Sequence, residues 1–296
     1  MTGATEKPDG YGNRILVTGA NGQLGRELQR LAIRYPHFEF YFLGREDLPI
    51  HHFEMVRHYF SVYKPAYVIN TAAYTAVDRA EDERDRVFQI NGEAPGVLAA
   101  ICHQHQTKLI HISTDYVFDG TAREPYSEDA PTNPQSVYGA SKLEGEIQIR
   151  QFNPEALIIR TSWVYSSYGK NFVRTMLKLM KEREEVTVVN DQVGSPTYAA
   201  DLAEAILQII DSRIWKPGIY HYCNEGAITW FEFAVAIREL TGNACRVKPI
   251  PTSAYPTPAK RPAYSVLDTT RIRDTYQIRL KEWKQSLENC LKELKD

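Results

Sequence analysis

Tyr138 and Lys142, in the stretch YGASK, are four residues apart. On a helix that spacing puts both side chains on one face. A phenol has an ordinary pKa of about 10, too high to be half ionised at neutrality. A cation about 4 Å away, at an effective dielectric near 20, contributes about 4 kcal/mol. That would lower the phenol's pKa by up to roughly three units before screening, making Tyr138 a candidate for proton transfer with Lys142 beside it. A YxxxK pair alone is common on amphipathic helices, so its meaning depends on its company. The run KLIHIS (108–113) reads as a strand, and HISTDYVFDG places Thr114 at its carboxyl end. Ligands of open α/β sheets bind in the crevice beyond the carboxyl ends of their strands. Thr114 there can donate a hydrogen bond to a substrate carbonyl while Tyr138 delivers a proton.

The third group is the glycine cluster in ILVTGANGQLGREL, where Gly19, Gly22 and Gly25 follow a short apolar run. Glycine costs more ordering entropy than any other residue, so three together favour backbone conformation over local stability. Between a buried strand and a helix, GxxGxxG suits a dinucleotide diphosphate on the helix N-terminus. Gly19 would take the turn, Gly22 would admit the diphosphate, and Gly25 would let the helix pack on the sheet. Asn21, Gln23 and Leu24 complete that loop as candidate coenzyme contacts. The strand FEFYFL (38–43) ends in Gly44-Arg45-Glu46-Asp47. An acid there would bind the ribose hydroxyl of NAD, and an arginine the 2′-phosphate of NADP. Arg45 favours NADPH; NADH stays open because Glu46 and Asp47 are close.

These side chains need a scaffold. RILVT (14–18), FEFYFL, AYVIN (66–70), KLIHIS and ALIIR (156–160) read as strands, separated by helical patterns over 52–63, 84–104 and 136–151. Alternating elements of this kind predict an α/β fold with a doubly wound, Rossmann-like parallel sheet. After about residue 165 the rhythm changes. Helices are expected over 171–184, 198–210, 229–240 and near 281–294, with strands at 186–190 and 219–223 and a proline-rich loop at 248–262. The expected division is a flexible tail at 1–13, a dinucleotide-binding domain at 14–165, and a smaller α/β substrate domain at 166–296. The two interleave, because the helix near 198–211 returns to the first.

Composition narrows the classes. The chain has 296 residues, 43% apolar, and a net charge of −2. A core is readily built, and no global field recruits nucleic acid or an anionic membrane. No apolar run approaches the roughly 20 residues that span a bilayer, and the polar N-terminus has no signal-peptide core. The four cysteines are far apart with no zinc spacing, and His103 and His105 read as a solvated helix end. The expectation is a cytoplasmic protein without a bound metal.

Glycine turn, Thr114 and YxxxK together resemble the extended short-chain dehydrogenase/reductases. GQLGREL, NTAAYTAVDRAE (70–81), STDYVFDG, RTSWVY (160–165), NFVRTML (171–177), NDQVGSPT (190–197) and YPTPAKRPAYSVLD (255–268) narrow the likeness to the dTDP-4-dehydrorhamnose reductase family, from about residue 14 to the C-terminus. The resemblance implies reduction of the C4 ketone of dTDP-4-dehydro-L-rhamnose to dTDP-L-rhamnose, with a nucleotide sugar as the partner molecule and a homodimer left open. It makes Thr114, Tyr138 and Lys142 the catalytic trio. Ala72, Ala73 and Thr75 match a coenzyme-lining stretch, and Asp115, Tyr116 and Trp163 match positions near the sugar. Asn171 and Arg261 are candidates for the substrate diphosphate, since an amide and a guanidinium suit phosphate oxygens. Two departures stand out: Tyr74 where members often have histidine, and Gly44 where some have an acid. Some members bind magnesium at a dimer interface. Glu27 matches one such ligand, but a lone glutamate does not establish a metal. Two alternatives remain open: another nucleotide-sugar reductase or epimerase of the same fold, and a non-catalytic regulatory subunit.

Overall fold

Ile15, Leu16 and Val17 are all fully buried, because the strand they form is covered by helices on both faces. This computed structural model describes residues 12–294; the expected N-terminal tail therefore lies outside the described residues except for Gly12 and Asn13. Strand β1 (Arg14–Thr18) leads into α1 (Gln23–Ala32), β2 (Glu39–Leu43), α2 (Phe53–Tyr63) and β3 (Tyr67–Asn70). A helical stretch ending in α3 (Ala94–Gln104) leads to β4 (Lys108–Thr114), then α4 (Val137–Phe152) and β5 (Leu157–Thr161). Next come α5 (Phe172–Glu182), β6 (Glu185–Val189), α6 (Ala199–Asp211), β7 (Gly218–His221), α7 (Trp230–Thr241), β8 (Arg246–Ile250) and α8 (Trp283–Glu293).

The main sheet runs β7-β5-β4-β3-β1-β2, with every pairing parallel. This is the doubly wound arrangement the alternating pattern predicts. Its winding reverses between β1 and β3, the place where such sheets bind ligands. One face packs Ile15, Val17, Ile69, Ile110 and Ile159 against α1 and α6. The other packs Leu16, Val68, Leu109 and Ile158 against α2, α3 and α4. Because side chains alternate along a strand, this second face continues into Thr18, Asn70, His111, Ser113 and Arg160. Its apolar floor thus gives way to a buried polar row at the carboxyl ends of the strands.

A second core gathers Tyr165, Val173, Met176, Val186, Val188, Phe233, Ile237 and Leu287 from α5, β6, α7 and α8 and the segments beside them. Strand β6 pairs in parallel with β8. Residues 248–250 were expected in a loop because of their prolines, yet Pro249 lies in β8. A two-stranded sheet leaves an outer edge where a missing N–H costs no ladder bond. The sequence returns to the main sheet more fully than expected: besides α6, the strand expected at 219–223 closes its edge as β7 beside β5.

The helix expected over 84–104 is wound in three ways: an α-turn at Arg84–Phe88, a wider π-turn at Gln89–Glu93, then α3. The π-turn aims Asn91 at the loop after β3. Its Oδ1 accepts from the Tyr74 N–H at 2.8 Å, and its Nδ2 donates to the Tyr74 carbonyl at 3.0 Å. Such bulges often mark functional sites.

Behind the polar row, Arg160 on β5 meets Glu146 on α4 at 2.6 Å, with side chains 3% and 2% exposed. Removing one partner of a buried pair leaves a desolvated charge. Glu146→Ala should therefore lose about 3–5 kcal/mol of stability in urea unfolding. A loss under about 1 kcal/mol would mean that Arg160 is otherwise compensated.

Candidate active site

Gly19 ends β1 at φ +69°, and a Cβ there would fall 2.6 Å from the Ala72 backbone nitrogen. Only glycine meets both demands: the left-handed turn and the contact with the loop after β3. Gly22 then opens α1 without a side-chain cap, and the first turn holds no acid. The initial N–H groups of α1 therefore stay free, at the positive end of the helix dipole. Gly25 faces the turn, where a Cβ would lie 2.6 Å from the Ala20 Cα. It lines no part of the cleft, and its role is the close packing expected of it.

These N–H groups open on a cleft of about 890 Å³ at the β1/β3 switch point. Gly19, Asn21, Gly22, Gln23, Leu24, Arg45, Ala72, Ala73, Thr75, Thr114, Asp115, Tyr116, Tyr138, Lys142 and Trp163 all line it, so most of the residues singled out from sequence converge. A cradle of glycine backbone facing an uncapped helix N-terminus fits a dinucleotide diphosphate. At the far end, Gly44 packs against the Asn21 amide, and its N–H donates to Asp47 Oδ2 at 2.9 Å. The nearest carboxylate is thus tied to its own turn. Arg45, Arg79 and Arg86 line this end, and Arg45 makes no ion pair among the described residues.

At the other end, Ser136 caps α4 by accepting from the Gly139 N–H at 3.1 Å, so Tyr138 and Lys142 stand in its first turns. Gly139 lets α4 approach the turn at Asp115–Val117: a Cβ there would lie 2.2 Å from the Tyr116 carbonyl oxygen. The Tyr116 and Tyr138 rings meet edge to face at 5.5 Å. Thr114 closes β4, accepts from the Tyr116 N–H at 3.2 Å and donates to Asp115 Oδ1 at 2.9 Å. Its single proton is therefore committed to Asp115 and must turn to serve a ligand. Asp115 is buried, its Oδ2 has no hydrogen-bond partner, and burial pushes its pKa up to about 6.

The expectation for Tyr138 needs correction. Burial raises its phenol above the ordinary value, and the Asp115 charge adds to this. Lys142 does not offset it. Lys142 is 2% exposed, and its nitrogen donates to the Ile112 carbonyl at 2.7 Å and stands 3.1 Å from His111 Nε2. Burial lowers its own pKa to about 8. Tyr138 is therefore a protonated acid at neutral pH, not a poised phenolate.

Trp163, expected near the sugar, packs against the second core and also lines the cleft. It adopts a left-handed backbone at φ 48° and stacks on Trp230 with ring centroids 3.5 Å apart, and both rings wall the cleft. Trp230 escaped the sequence reading because WFEF looks like any helix start. His111 escaped as well, hidden inside an apolar strand pattern.

Two expected phosphate contacts are not at the cleft wall. Asn171 caps α5, accepting from the Arg174 N–H at 3.1 Å, while its amide donates to Gln23 Oε1, the Ser166 carbonyl and the Tyr168 carbonyl. Its polar atoms are engaged within the protein, tying α5 to the glycine loop. Arg261 pairs with Asp78 at 2.7 Å and donates to the Tyr116 hydroxyl at 3.2 Å. It steadies Tyr116 from behind. Glu27 is fully buried, accepting from Ser166 at 2.6 Å and from Arg30 at 3.0 Å. With a guanidinium already on its carboxylate, this position does not fit a divalent cation. Among the described residues no cluster of three or more His, Cys, Asp or Glu is arranged to hold a metal.

Residues 13–296 match the family model described as the RmlD substrate binding domain. The chain is 41% identical over 286 residues to dTDP-4-dehydrorhamnose reductase of Aggregatibacter actinomycetemcomitans, covering 93% of this chain and 97% of that one. A solved dTDP-4-dehydrorhamnose reductase from Clostridium acetobutylicum superposes with a TM-score of 0.91 at 43% identity, covering 96% of this chain and all of that one. A Bacillus anthracis structure of the same description, in complex with NADP, gives 0.91 at 39% identity, covering 95% of this chain and 99% of that one.

The raised Asp115 carboxyl has a consequence for stability. Its folded pKa of about 6 exceeds the ordinary 3.8. Between those values the folded chain binds more protons than the unfolded one, so stability falls as pH rises through the window. Asp115→Asn removes that penalty and should stabilise the protein by about 1–3 kcal/mol at about pH 7. The gain should vanish near pH 4. Urea unfolding at both pH values checks this; an equal effect at both would contradict it.

Proposed function

This chain belongs to the dTDP-4-dehydrorhamnose reductase family, and on that premise we propose that it reduces the C4 ketone of dTDP-4-dehydro-L-rhamnose to dTDP-L-rhamnose with NADPH. The observation that carries this reading is the convergence of Thr114, Tyr138 and Lys142 on one cleft with the uncapped N-terminus of α1. Backbone groups of Gly22, Gln23 and Leu24 hold the coenzyme diphosphate, and Ala72, Ala73 and Thr75 line its path. The bound nicotinamide supplies the hydride. Tyr138, protonated at rest, donates its proton to the ketone oxygen as negative charge develops there. Thr114 turns its hydroxyl from Asp115 to the same oxygen. A donor aimed at a developing oxyanion contributes about 10²–10³ in rate. Lys142 lies one helical turn beyond the phenol and steadies the tyrosinate left behind. The stacked Trp163 and Trp230 wall the sugar end against water.

NADPH is favoured over NADH because Arg45 makes no ion pair among the described residues, while Asp47 is tied to the Gly44 N–H. The NADP complex of the Bacillus anthracis relative supports the same choice. The described cysteines are free and buried, which suits a reducing cytoplasm. No helix among the described residues is long and apolar enough to cross a membrane.

A coupled assay tests the function. With the dTDP-4-keto sugar generated in situ by the upstream dehydratase and epimerase, NADPH should be oxidised mole for mole with sugar reduced. Turnover of the sugar without net coenzyme loss would point to an epimerase. Tyr138→Phe should lower kcat by about 10²–10⁴ while leaving coenzyme affinity near normal; retained turnover would remove Tyr138 as the acid. Arg45→Ala should raise the KM for NADPH about 10- to 100-fold, the equivalent of one charge-assisted hydrogen bond, and leave NADH unaffected. An unchanged NADPH preference would refute the role of Arg45.

A further inference from the structure

The chain between β5 and α5 is held against α1 at three points. Gln23 Nε2 donates to the Val164 carbonyl at 3.5 Å, and Gln23 Oε1 accepts from the Asn171 amide at 2.9 Å. The Arg26 guanidinium lies 5.3 Å from the centre of the Tyr168 ring. Glu27 accepts from the Ser166 hydroxyl at 2.6 Å. Residues three and four apart share one face of a helix, so this face of α1 is committed to holding residues 164–171. Among those residues, the Ser166 hydroxyl accepts from the Tyr168 N–H at 3.0 Å, and Arg174 of α5 donates to the Ser167 carbonyl at 2.6 Å. Gly169 turns the chain at φ +68°, where a Cβ would lie 3.2 Å from Gln23 Cγ. The segment is a bolted strap, not a loose loop.

This strap presents Lys170 to the start of α1. Gly169 and Lys170 line the cleft together with Gly22, Gln23 and Leu24. Gly169 packs against Gln23, the first residue of α1, and Asn171 bonds to it. Lys170 stands between them, its Cα about 3.8 Å from each neighbour's, and carries its ammonium on a flexible four-carbon stem. It is exposed and makes no hydrogen bond or ion pair among the described residues. The charged groups around it are cationic or already engaged. Arg26 lies over Tyr168, and Arg174 is bonded to Ser167. Glu27 is fully buried, with Ser166 and Arg30 on its carboxylate. The first turn of α1 holds no acid, and its N–H groups form the positive end of the helix dipole. Positive charge gathered along a cleft in this way draws in an anion.

We propose that Lys170 is a coenzyme-binding residue, which supplies the cation for the dinucleotide diphosphate at the start of α1. The inference deepens the reductase reading above and rests on it. The backbone of Gly22, Gln23 and Leu24 offers the diphosphate N–H donors but no full charge. Lys170 adds that charge, since an ammonium serves phosphate as a point charge. NADPH and NADH carry the same diphosphate, so Lys170 favours both and does not discriminate between them. That separates it from Arg45 at the other end of the cleft. The strap runs directly into α5, whose Val173 and Met176 lie in the second core. A coenzyme held by α1 and by Lys170 therefore ties the two cores together. The diphosphate of the sugar nucleotide is the competing ligand. The coenzyme is favoured because both neighbours of Lys170 meet Gln23 in the glycine loop.

Titration calorimetry of the full chain, without sugar, tests this apart from turnover. Lys170→Gln keeps most of the side chain and removes its charge. Its Kd for NADPH and for NADH should rise by the same factor, about 5- to 20-fold for a charge-assisted hydrogen bond at an open rim. The difference from wild type should shrink at high salt. Lys170→Arg keeps the charge and should restore most of the affinity for both. Adenosine 2′-monophosphate, which has no diphosphate, and dTDP, the nucleotide of the sugar substrate, should bind Lys170→Gln as they bind wild type. Unchanged coenzyme affinity in Lys170→Gln overturns the proposal, as does a loss confined to NADPH. An equal loss for adenosine 2′-monophosphate overturns it by showing a distorted cleft, and a loss for dTDP overturns it by assigning Lys170 to the substrate. A wild-type chain that binds neither coenzyme overturns the reductase reading and this inference with it. A wild-type chain that binds both, with Lys170→Gln unchanged, overturns this inference alone.

Discussion

Lys142 has to place a nitrogen beside the cleft from inside the protein, and the cost of burying that nitrogen shapes the whole carboxyl end of the sheet. An unpaired buried charge is costly. The fold meets this in two ways: the Ile112 carbonyl accepts from the nitrogen, and His111 faces it at 3.1 Å. His111 is itself buried and needs Asn70, which needs Thr18 and Ala72. One functional amine therefore accounts for the polar row on an otherwise apolar sheet face. The same row ends at Thr18, directly before the glycine turn, so the two ends of the cleft are mechanically one unit.

The second constraint is emptiness. Helix α1 starts without a cap, and Asp115 keeps an oxygen with no partner. In a scaffold selected only for stability, both would be filled. Each costs stability, and both the start of α1 and Asp115 border the cleft. Sites that function commonly carry such local deficits. Close packing around them is correspondingly tight, with Gly19 against Ala72 and Gly139 against Tyr116.

Much of this was legible in the sequence because its signals are local. A buried strand, a glycine turn and a helix follow one another within twenty residues, and short continuous apolar runs separated by helical patterns give the doubly wound sheet. YxxxK reports its own geometry, since four residues on a helix share a face. What was not legible depends on register and on long-range packing. His111 has an ordinary strand position, and only its pairing with Asn70 and its proximity to Lys142 give it meaning. Trp230 reaches the cleft by stacking on Trp163, a contact between residues 67 apart in sequence. Asn171 and Arg261 have the right chemistry for phosphate, but a helix cap and an ion pair claim them first. The shift of Tyr138 ran opposite to expectation because burial outweighed a lysine whose own nitrogen is turned to Ile112 and His111.

The central claim is that Tyr138 and Thr114 converge on a single substrate oxygen. The most direct measurement is a crystal structure of the protein with NADP⁺ and the reduced nucleotide sugar. Both hydroxyls are predicted within hydrogen-bond reach of the sugar O4, with the Thr114 contact to Asp115 broken or lengthened. A sugar whose O4 is met by neither hydroxyl, or a Tyr138 turned away from the cleft, would contradict the mechanism.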